Sequence, residues 1–126
     1  MSVAFYKKTG YDIPWIGYYA CIDGSLVGTG AFKGKPLDGK VEIAYGIFPQ
    51  QRQKGIGSAL CKKLVKLSLQ TDASVRITAR TLPEENYSTS ILRKNGFEWK
   101  GSVTDPEDGE VWEWEYVADE SSESMA

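Results

Sequence analysis

The chain has 126 residues, 41% hydrophobic and 25% charged, with a formal net charge of −2; that suits one soluble core and is too short for two ordinary domains. It holds no histidine, which excludes Ser-His-Asp and Cys-His catalysis and imidazole-held zinc, and leaves acid–base work to Glu, Asp, Tyr, Lys, Ser or water. With the tail acids Asp119, Glu120 and Glu123 set aside the body is close to neutral, so the broad basic face that nucleic-acid binding needs is not expected.

No apolar run approaches the ~20 residues of a membrane span, and the first residues lack a signal-peptide pattern. Cys21 and Cys61 lie far apart without metal spacing. They read as reduced core thiols of a cytoplasmic protein.

In chain order, residues 1 to 14 carry no clear period and end at Pro14. Trp15 to Ile22 reads as a strand, and Asp23-Gly24 is a type I′ hairpin signal leading into Ser25 to Phe32. Lys33 to Lys40 is a glycine- and proline-bearing loop, and Val41 to Phe48 a third strand. A helix follows from about Ile56 to Leu69, with Ile56, Leu60, Leu64 and Leu67 as its buried stripe. Lys62, Lys63 and Lys66 face elsewhere, as a solvated face or as a contact for a bound phosphate. Ser74 to Thr81 alternates as a fourth strand. A second helix is expected from about Glu84 to Lys94, with acids in its first turn and Gly96 just beyond its end. Phe97 to Val103 and Glu110 to Tyr116 form a closing hairpin. Trp112, Trp114 and Tyr116 share one strand face, as core packing or as a wall of an acceptor site. The tail from Ala118 to Ala126 is Ser, Glu and Asp, composition that favours disorder.

The chemistry concentrates between the third strand and the first helix. After Pro49 come a basic loop, two glycines and a helix start, an order that builds an anion cradle. Gly55 and Gly57 allow close backbone approach, the first helical turn offers unpaired N–H groups and a positive dipole end, and Arg52 and Lys54 add charge. Neither G-x-G-x-x-G nor G-x-x-x-x-G-K-[ST] can be written here. A tight strand-to-helix turn without a ligand would use the same glycines.

Arg52-Gln53-Lys54-Gly55-Ile56-Gly57 resembles the coenzyme A pyrophosphate loop of the GNAT superfamily of acetyl-CoA-dependent N-acetyltransferases. The block Thr81 to Phe97 is similar to the second signature of its ribosomal-protein-alanine branch, through Ser88, Leu92, Lys94, Gly96 and Phe97. The resemblance implies one α/β (α+β) domain over residues 1–117: a mixed, mostly antiparallel sheet with one parallel strand–helix–strand crossover and helices on its faces. Only about fifteen residues precede the first clear strand, so the family's N-terminal helices are expected to be reduced or missing.

The resemblance further implies acetyl-CoA as co-substrate, held by Ile47, Phe48, Arg52, Gln53, Lys54, Gly55, Ile56, Gly57 and Ser58, with Asn86 and Ser88 from the second helix. No metal is implied. The pantetheine arm would pair with the strand edge from Tyr45 to Phe48, and amides near Ile47 would meet the thioester carbonyl. Glu42 is the candidate general base, otherwise a solvent-facing strand glutamate; Glu84 and Glu85 come next. The position where many relatives carry a tyrosine acid is Leu92, which cannot donate a proton; Ser88 matches a serine that hydrogen-bonds the coenzyme sulfur, and Tyr87 is a second donor. The family asparagine falls on Glu85, one residue before Asn86. The acceptor is expected to be an amine on a small molecule or a protein N-terminus, with neither nucleic acid nor membrane as partner. A coenzyme-binding module without catalysis is the alternative, and an exposed hairpin edge could pair two copies.

Overall fold

In the computed structural model, which describes residues 2–9, 13–51 and 55–117, four strands form an antiparallel meander: β1 (Ala4–Thr9), β2 (Gly17–Ile22), β3 (Ser25–Phe32) and β4 (Lys40–Ile47). The β2–β3 turn has Asp23 at φ 50° and Gly24 at φ 80°. Two consecutive positive φ values match strand twist in a type I′ turn, which is why Asp-Gly signals it.

β1 lies in the stretch that shows no period. Lys7 and Lys8 break its alternation, and the strand is held by distant partners: Phe5 pairs with Ala20 and stacks on Tyr18, with ring centroids 5.1 Å apart. Strand preference here is set by cross-strand packing more than by local composition.

Helix α1 (Ile56–Thr71) carries the chain to β5 (Arg76–Thr81), which lies parallel to β4. Helix α2 (Tyr87–Lys94) then leads to the hairpin of β6 (Phe97–Asp105) and β7 (Gly109–Tyr116). The single sheet runs β1-β2-β3-β4-β5-β7-β6. The α/β expectation of a mostly antiparallel sheet with one parallel pair therefore holds. The two α-helices among the described residues are α1 and α2, with one 3-10 turn at Pro49–Gln51. The link from β1 to β2, residues 10 to 16, is far below the roughly 20 residues that two short helices need.

α1 packs on β3, β4 and α2. Ile56, Leu60 and Leu64 are buried as their spacing predicts, with Cys61 and Val65 beside them and Leu67 half-buried. Its Ser68 is fully buried and donates to the Leu64 carbonyl at 2.8 Å, so the hydroxyl is satisfied. Trp114 is also fully buried and donates from Nε1 to Thr81 Oγ1 at 3.0 Å. That makes Trp114 core, while Trp112 and Tyr116 are half-buried against the same cluster.

One expectation needs correction. α2 starts at Tyr87, three residues later than Glu84, and has no acid in its first turn. Asn86 caps it: its side chain accepts from Thr89 N–H at 3.1 Å, and Thr89 Oγ1 accepts from Asn86 N–H at 3.0 Å. A reciprocal cap of this kind fixes the first turn and leaves Glu84 and Glu85 outside. Gly96, at φ 89°, ends the helix as expected. The proposed tail at residues 118–126 lies outside the described residues.

Candidate active site

The sheet splits between β4 and β5. Their pairing stops at Glu42 opposite Thr78, yet β4 continues to Ile47 and β5 to Thr81. Beyond that point β4 stays with β3, down to Gly28 opposite Ile47, while β5 follows β7, with Thr81 opposite Trp112. Lys33 N–H donates to the Glu42 carbonyl and Phe48 N–H to the Val27 carbonyl. In an antiparallel pair such bonds fall on alternate residues, so the peptide groups of Ile43, Tyr45 and Ile47 face the opening. An unpaired strand edge there can take an extended ligand as an added strand.

Two helix starts converge on the far end of this opening. α1 begins behind Gly55, which is left-handed at φ 77°; no described side chain caps it, and its first turn holds no acid. The first intrahelical bond is Ala59 N–H to the Gly55 carbonyl. The amides of Ile56, Gly57 and Ser58 are thus free of intrahelical acceptors and sit at the positive end of the dipole. α2 differs, because Asn86 and Thr89 already satisfy its start.

A cleft of about 400 Å³ is lined by Tyr45, Gly46 and Ile47 from β4 and by Asn86, Tyr87, Ser88 and Ile91. A groove of about 350 Å³ adjoins it, sharing Tyr87 and Ile91 and adding Gly55, Ser58, Ser90 and Lys94. On the other flank of α1, Lys62, Lys63 and Lys66 line a hollow of about 410 Å³ that also touches Gly55 and Ser58. Cationic side chains therefore stand on both sides of the uncapped helix start. Lys63 also lies over the Phe5 ring, 5.2 Å from its centroid.

The structure thus brings Ile47, Gly55, Ser58, Asn86 and Ser88 around one continuous depression. Ile56 is buried among Ala20, Val27 and Leu60, so only its amide can serve a ligand. Phe48 stands just beyond β4 with its own amide bound to Val27. Gly57 has a packing reason: a Cβ there would lie 2.6 Å from Ile91 Cδ1, so glycine lets α1 and α2 meet. Arg52, Gln53 and Lys54 lie outside the described residues.

Behind the cleft, the Tyr45 hydroxyl and the Cys61 thiol lie close enough to influence each other's ionisation. Burial raises the Tyr45 phenol and pushes the Cys61 thiol up to about 12. Both are neutral at pH 7, so this wall supplies polarity without charge. Leu92 is in the core, 1% exposed. Glu85 lies outside the helix and binds Arg93, with Nη2 to Oε2 at 2.7 Å.

Glu42 stands elsewhere. It is at the closed end of the split, four residues before Gly46 and so about 13 Å along the strand. Its carboxylate lies 3.3 Å from Lys33 Nζ and 3.9 Å from Arg80 Nε. Arg80 in turn binds Asp105 at 2.9 Å and Glu113 at 3.4 Å. Burial acts to lower the Arg80 guanidinium, but the Asp105 hydrogen bond and the charges of Glu42 and Glu113 outweigh it and raise it. A hollow of about 270 Å³ opens over Glu42, Arg80 and Glu113, with Lys33, Lys35 and Lys40 at its rim. Reasoning from sequence missed Arg80: Arg76, Thr78 and Arg80 share one face of an alternating strand, but the carboxylates that gather around Arg80 come from other strands.

Split sheet, uncapped helix start and adjoining cleft define an α/β scaffold in which an open strand edge runs toward the positive end of a helix. A family model described as "Acetyltransferase (GNAT) domain" matches residues 3–98, and the chain belongs to that family. Among curated protein sequences none matches the chain. Solved structures do. The GNAT-family acetyltransferase of Bacillus anthracis is 20% identical, with TM-score 0.70 over 80% of this chain and 65% of its own. The aminoglycoside acetyltransferase AAC(6')-Ib in complex with coenzyme A is 24% identical, with TM-score 0.70 over 87% and 70%. RimL, a ribosomal L7/L12 alpha-N-protein acetyltransferase in complex with coenzyme A, is 17% identical, with TM-score 0.71 over 82% and 62%. At these identities the likeness speaks for the fold, and the chain spans roughly two thirds of each neighbour's length. Among the described residues no helix is long and apolar enough to cross a membrane, and no group of three or more His, Cys, Asp or Glu is placed to hold a metal.

Proposed function

We propose that the chain is a cytoplasmic N-acetyltransferase that moves the acetyl group of acetyl-CoA to a primary amine by direct attack within a ternary complex. The observation that carries this reading is the uncapped start of α1, with lysines on either side, opening onto the same depression as the free edge of β4. The α1 amides from Ile56 to Ser58 would hold the pyrophosphate, with Arg52, Gln53 and Lys54 completing the loop, and Lys94 or the α1 lysines would meet the remaining phosphate. The peptide groups of Tyr45 and Ile47 would pair with the amide-bearing arm and turn the thioester toward the closed end of the split. A backbone donor fixed on the carbonyl oxygen of such a centre contributes roughly 2.7–4 kcal/mol to the transition state.

Glu42, through water, would take the proton of the attacking amine, which is otherwise mostly protonated at neutral pH. As the C–N bond forms and the C–S bond breaks, the Ser88 hydroxyl at the cleft mouth would stabilise the departing sulfur. Two acceptor types named for the structural neighbours, an aminoglycoside and a protein alpha-amine, are both amines, and the near-neutral body selects neither.

Acetyl-CoA at 100 times Kd should add ~2.7 kcal/mol of stability, seen as a rise in Tm. Release of coenzyme A thiol across a panel of N-terminal peptides and small amines then tests transfer. A Tm rise without thiol release from any amine would leave a binding module; no Tm rise would remove the assignment.

A further inference from the structure

We propose that Arg80 is the positioning residue for Glu42, its guanidinium locked by Asp105 and Glu113 so that a buried, unpartnered Nε–H is aimed at the Glu42 carboxylate. This rests on the reading of Glu42 as general base, and it adds a residue that the motif resemblance does not cover.

The geometry begins with the split. Glu42 and Thr78 are the last paired residues of β4 and β5, and Arg80 is the next residue on the Thr78 face of β5. Its side chain crosses the opening at its closed end and lies 3.9 Å from Glu42 Oε1. A guanidinium is planar, with five donors in fixed directions. Nη1 is held by Asp105 on β6 at 2.9 Å and Nη2 by Glu113 on β7 at 3.4 Å, which fixes the plane and with it the direction of Nε–H. That Nε is buried and has no hydrogen-bond partner. A buried N–H without an acceptor is disfavoured, and a swing of the Glu42 carboxylate by about 1 Å closes the gap to hydrogen-bond length.

The other groups facing Glu42 do not give this control. Lys33, at 3.3 Å, is 54% exposed, so solvent competes for its ammonium. Lys35 and Lys40 are exposed on the rim of the same hollow. Glu113 and Asp105 occupy the two Nη groups of Arg80, which leaves its Nε as the donor facing Glu42. Asp105 is itself held low by the amides of Glu107 and Asp108 and then by Arg80, so it stays ionised and keeps its hold on the guanidinium. Arg80 thereby keeps Glu42 aimed.

The test uses the full chain and two variants, Arg80→Gln and Arg80→Lys. First, crystal structures without ligand are compared: in wild type the Glu42 carboxylate should hold one rotamer within hydrogen-bond reach of Arg80 Nε, and in Arg80→Gln it should leave that position. Second, with an amine that turns over, kcat/KM should fall by about tenfold or more in Arg80→Gln while acetyl-CoA Kd stays within twofold, and Arg80→Lys, which keeps the charge without the planar fork, should recover only part of the loss. Adding Arg80→Gln to Glu42→Gln should then cost no further rate. A Glu42 carboxylate that is unmoved in folded Arg80→Gln overturns the proposal, as does a rate loss that persists in the Glu42→Gln background. If Arg80→Gln does not fold, an Arg80→Lys protein with wild-type kcat/KM overturns it equally. Failure of wild type to release thiol with any amine would strike the enzymatic reading alone, because the carboxylate position is read without substrate.

Discussion

Asn95 Nδ2, at the end of α2, donates to Ser58 Oγ in the first turn of α1 across 3.0 Å, and also to the Ile91 carbonyl at 2.9 Å. One amide therefore ties the finish of one helix to the start of the other, beside the groove where the α1 amides are open. Asn95→Ala removes both bonds. At about 1 kcal/mol each, stability in urea should fall by about 1–2 kcal/mol, and acetyl-CoA Kd should rise because the α1 start is less firmly placed. Ser58→Ala loses one of the two bonds, so a double-mutant cycle should show coupling of about 0.5 kcal/mol or more. Additive losses would mean that the 3.0 Å contact carries nothing.

Gly57 is the second point where the helices meet. A methyl at this position would stand 2.6 Å from Ile91 Cδ1 and 3.7 Å from Tyr87 Cε1. Alanine favours a helix interior over glycine by up to about 1 kcal/mol, while overpacking costs about 1–3 kcal/mol. The net expectation for Gly57→Ala is a loss of up to about 2 kcal/mol with weaker coenzyme binding. Ile91→Val removes the offending methyl, so Gly57→Ala/Ile91→Val should recover much of the loss. A glutamate at Gly57 would disturb the helix pair as well as the anion site, so it cannot separate the two. If Gly57→Ala matches wild type in both Tm and Kd, close packing does not explain the glycine.

The fold was legible where chemistry is local. Asp23-Gly24 marks a turn because two positive φ values are needed there, and the Ile56, Leu60, Leu64 spacing marks a buried face. β1 was not legible, because Phe5 owes its place to Tyr18 and Lys63 from distant segments. The start of α2 was misread for a related reason: Glu84 and Glu85 suit a first turn, but Asn86 and Thr89 form a mutual cap that Ser/Thr-x-x-Glu patterns do not describe. At the site, the glycine loop could be read from its spacing, whereas Ser88 came only from the motif resemblance. The Arg80 cluster could not, since it joins β4, β5, β6 and β7 through a register that only the folded sheet sets.

Glu85 offers a pH test outside the site. The Arg93 hydrogen bonds, followed by that from Thr89, hold its carboxyl down at about 2, against burial, which acts in the opposite direction. A carboxylate whose folded value is depressed contributes stability above its unfolded value, near 4.5, and loses it as pH falls through the folded value. Glu85→Gln should therefore be less stable than wild type at pH 6 to 7, with the difference shrinking between about pH 4.5 and 2. The pair is exposed, so the effect should be small and should weaken in high salt. Urea midpoints for both proteins at several pH values would check this; a difference independent of pH would assign Glu85 to the neutral Thr89 contact instead.

Ser88 and Tyr87 stand side by side in the first turn of α2, both exposed and both lining the cleft, and either hydroxyl could serve the departing sulfur. Ser88 is the stronger assignment, because Tyr87 also lines the adjoining groove and lies against Gly57 and Ile91, where its ring already has a packing task. Loss of one neutral hydrogen bond made mainly in the transition state is worth about 1 kcal/mol, which is about five- to tenfold in rate. Ser88→Ala should thus lower kcat by about that factor with acetyl-CoA Kd nearly unchanged. Tyr87→Phe keeps the ring and should leave kcat within about twofold, whereas Tyr87→Ala should weaken coenzyme binding by opening the groove wall. Should Tyr87→Phe carry the rate loss while Ser88→Ala is silent, the proton for the leaving thiolate comes from Tyr87.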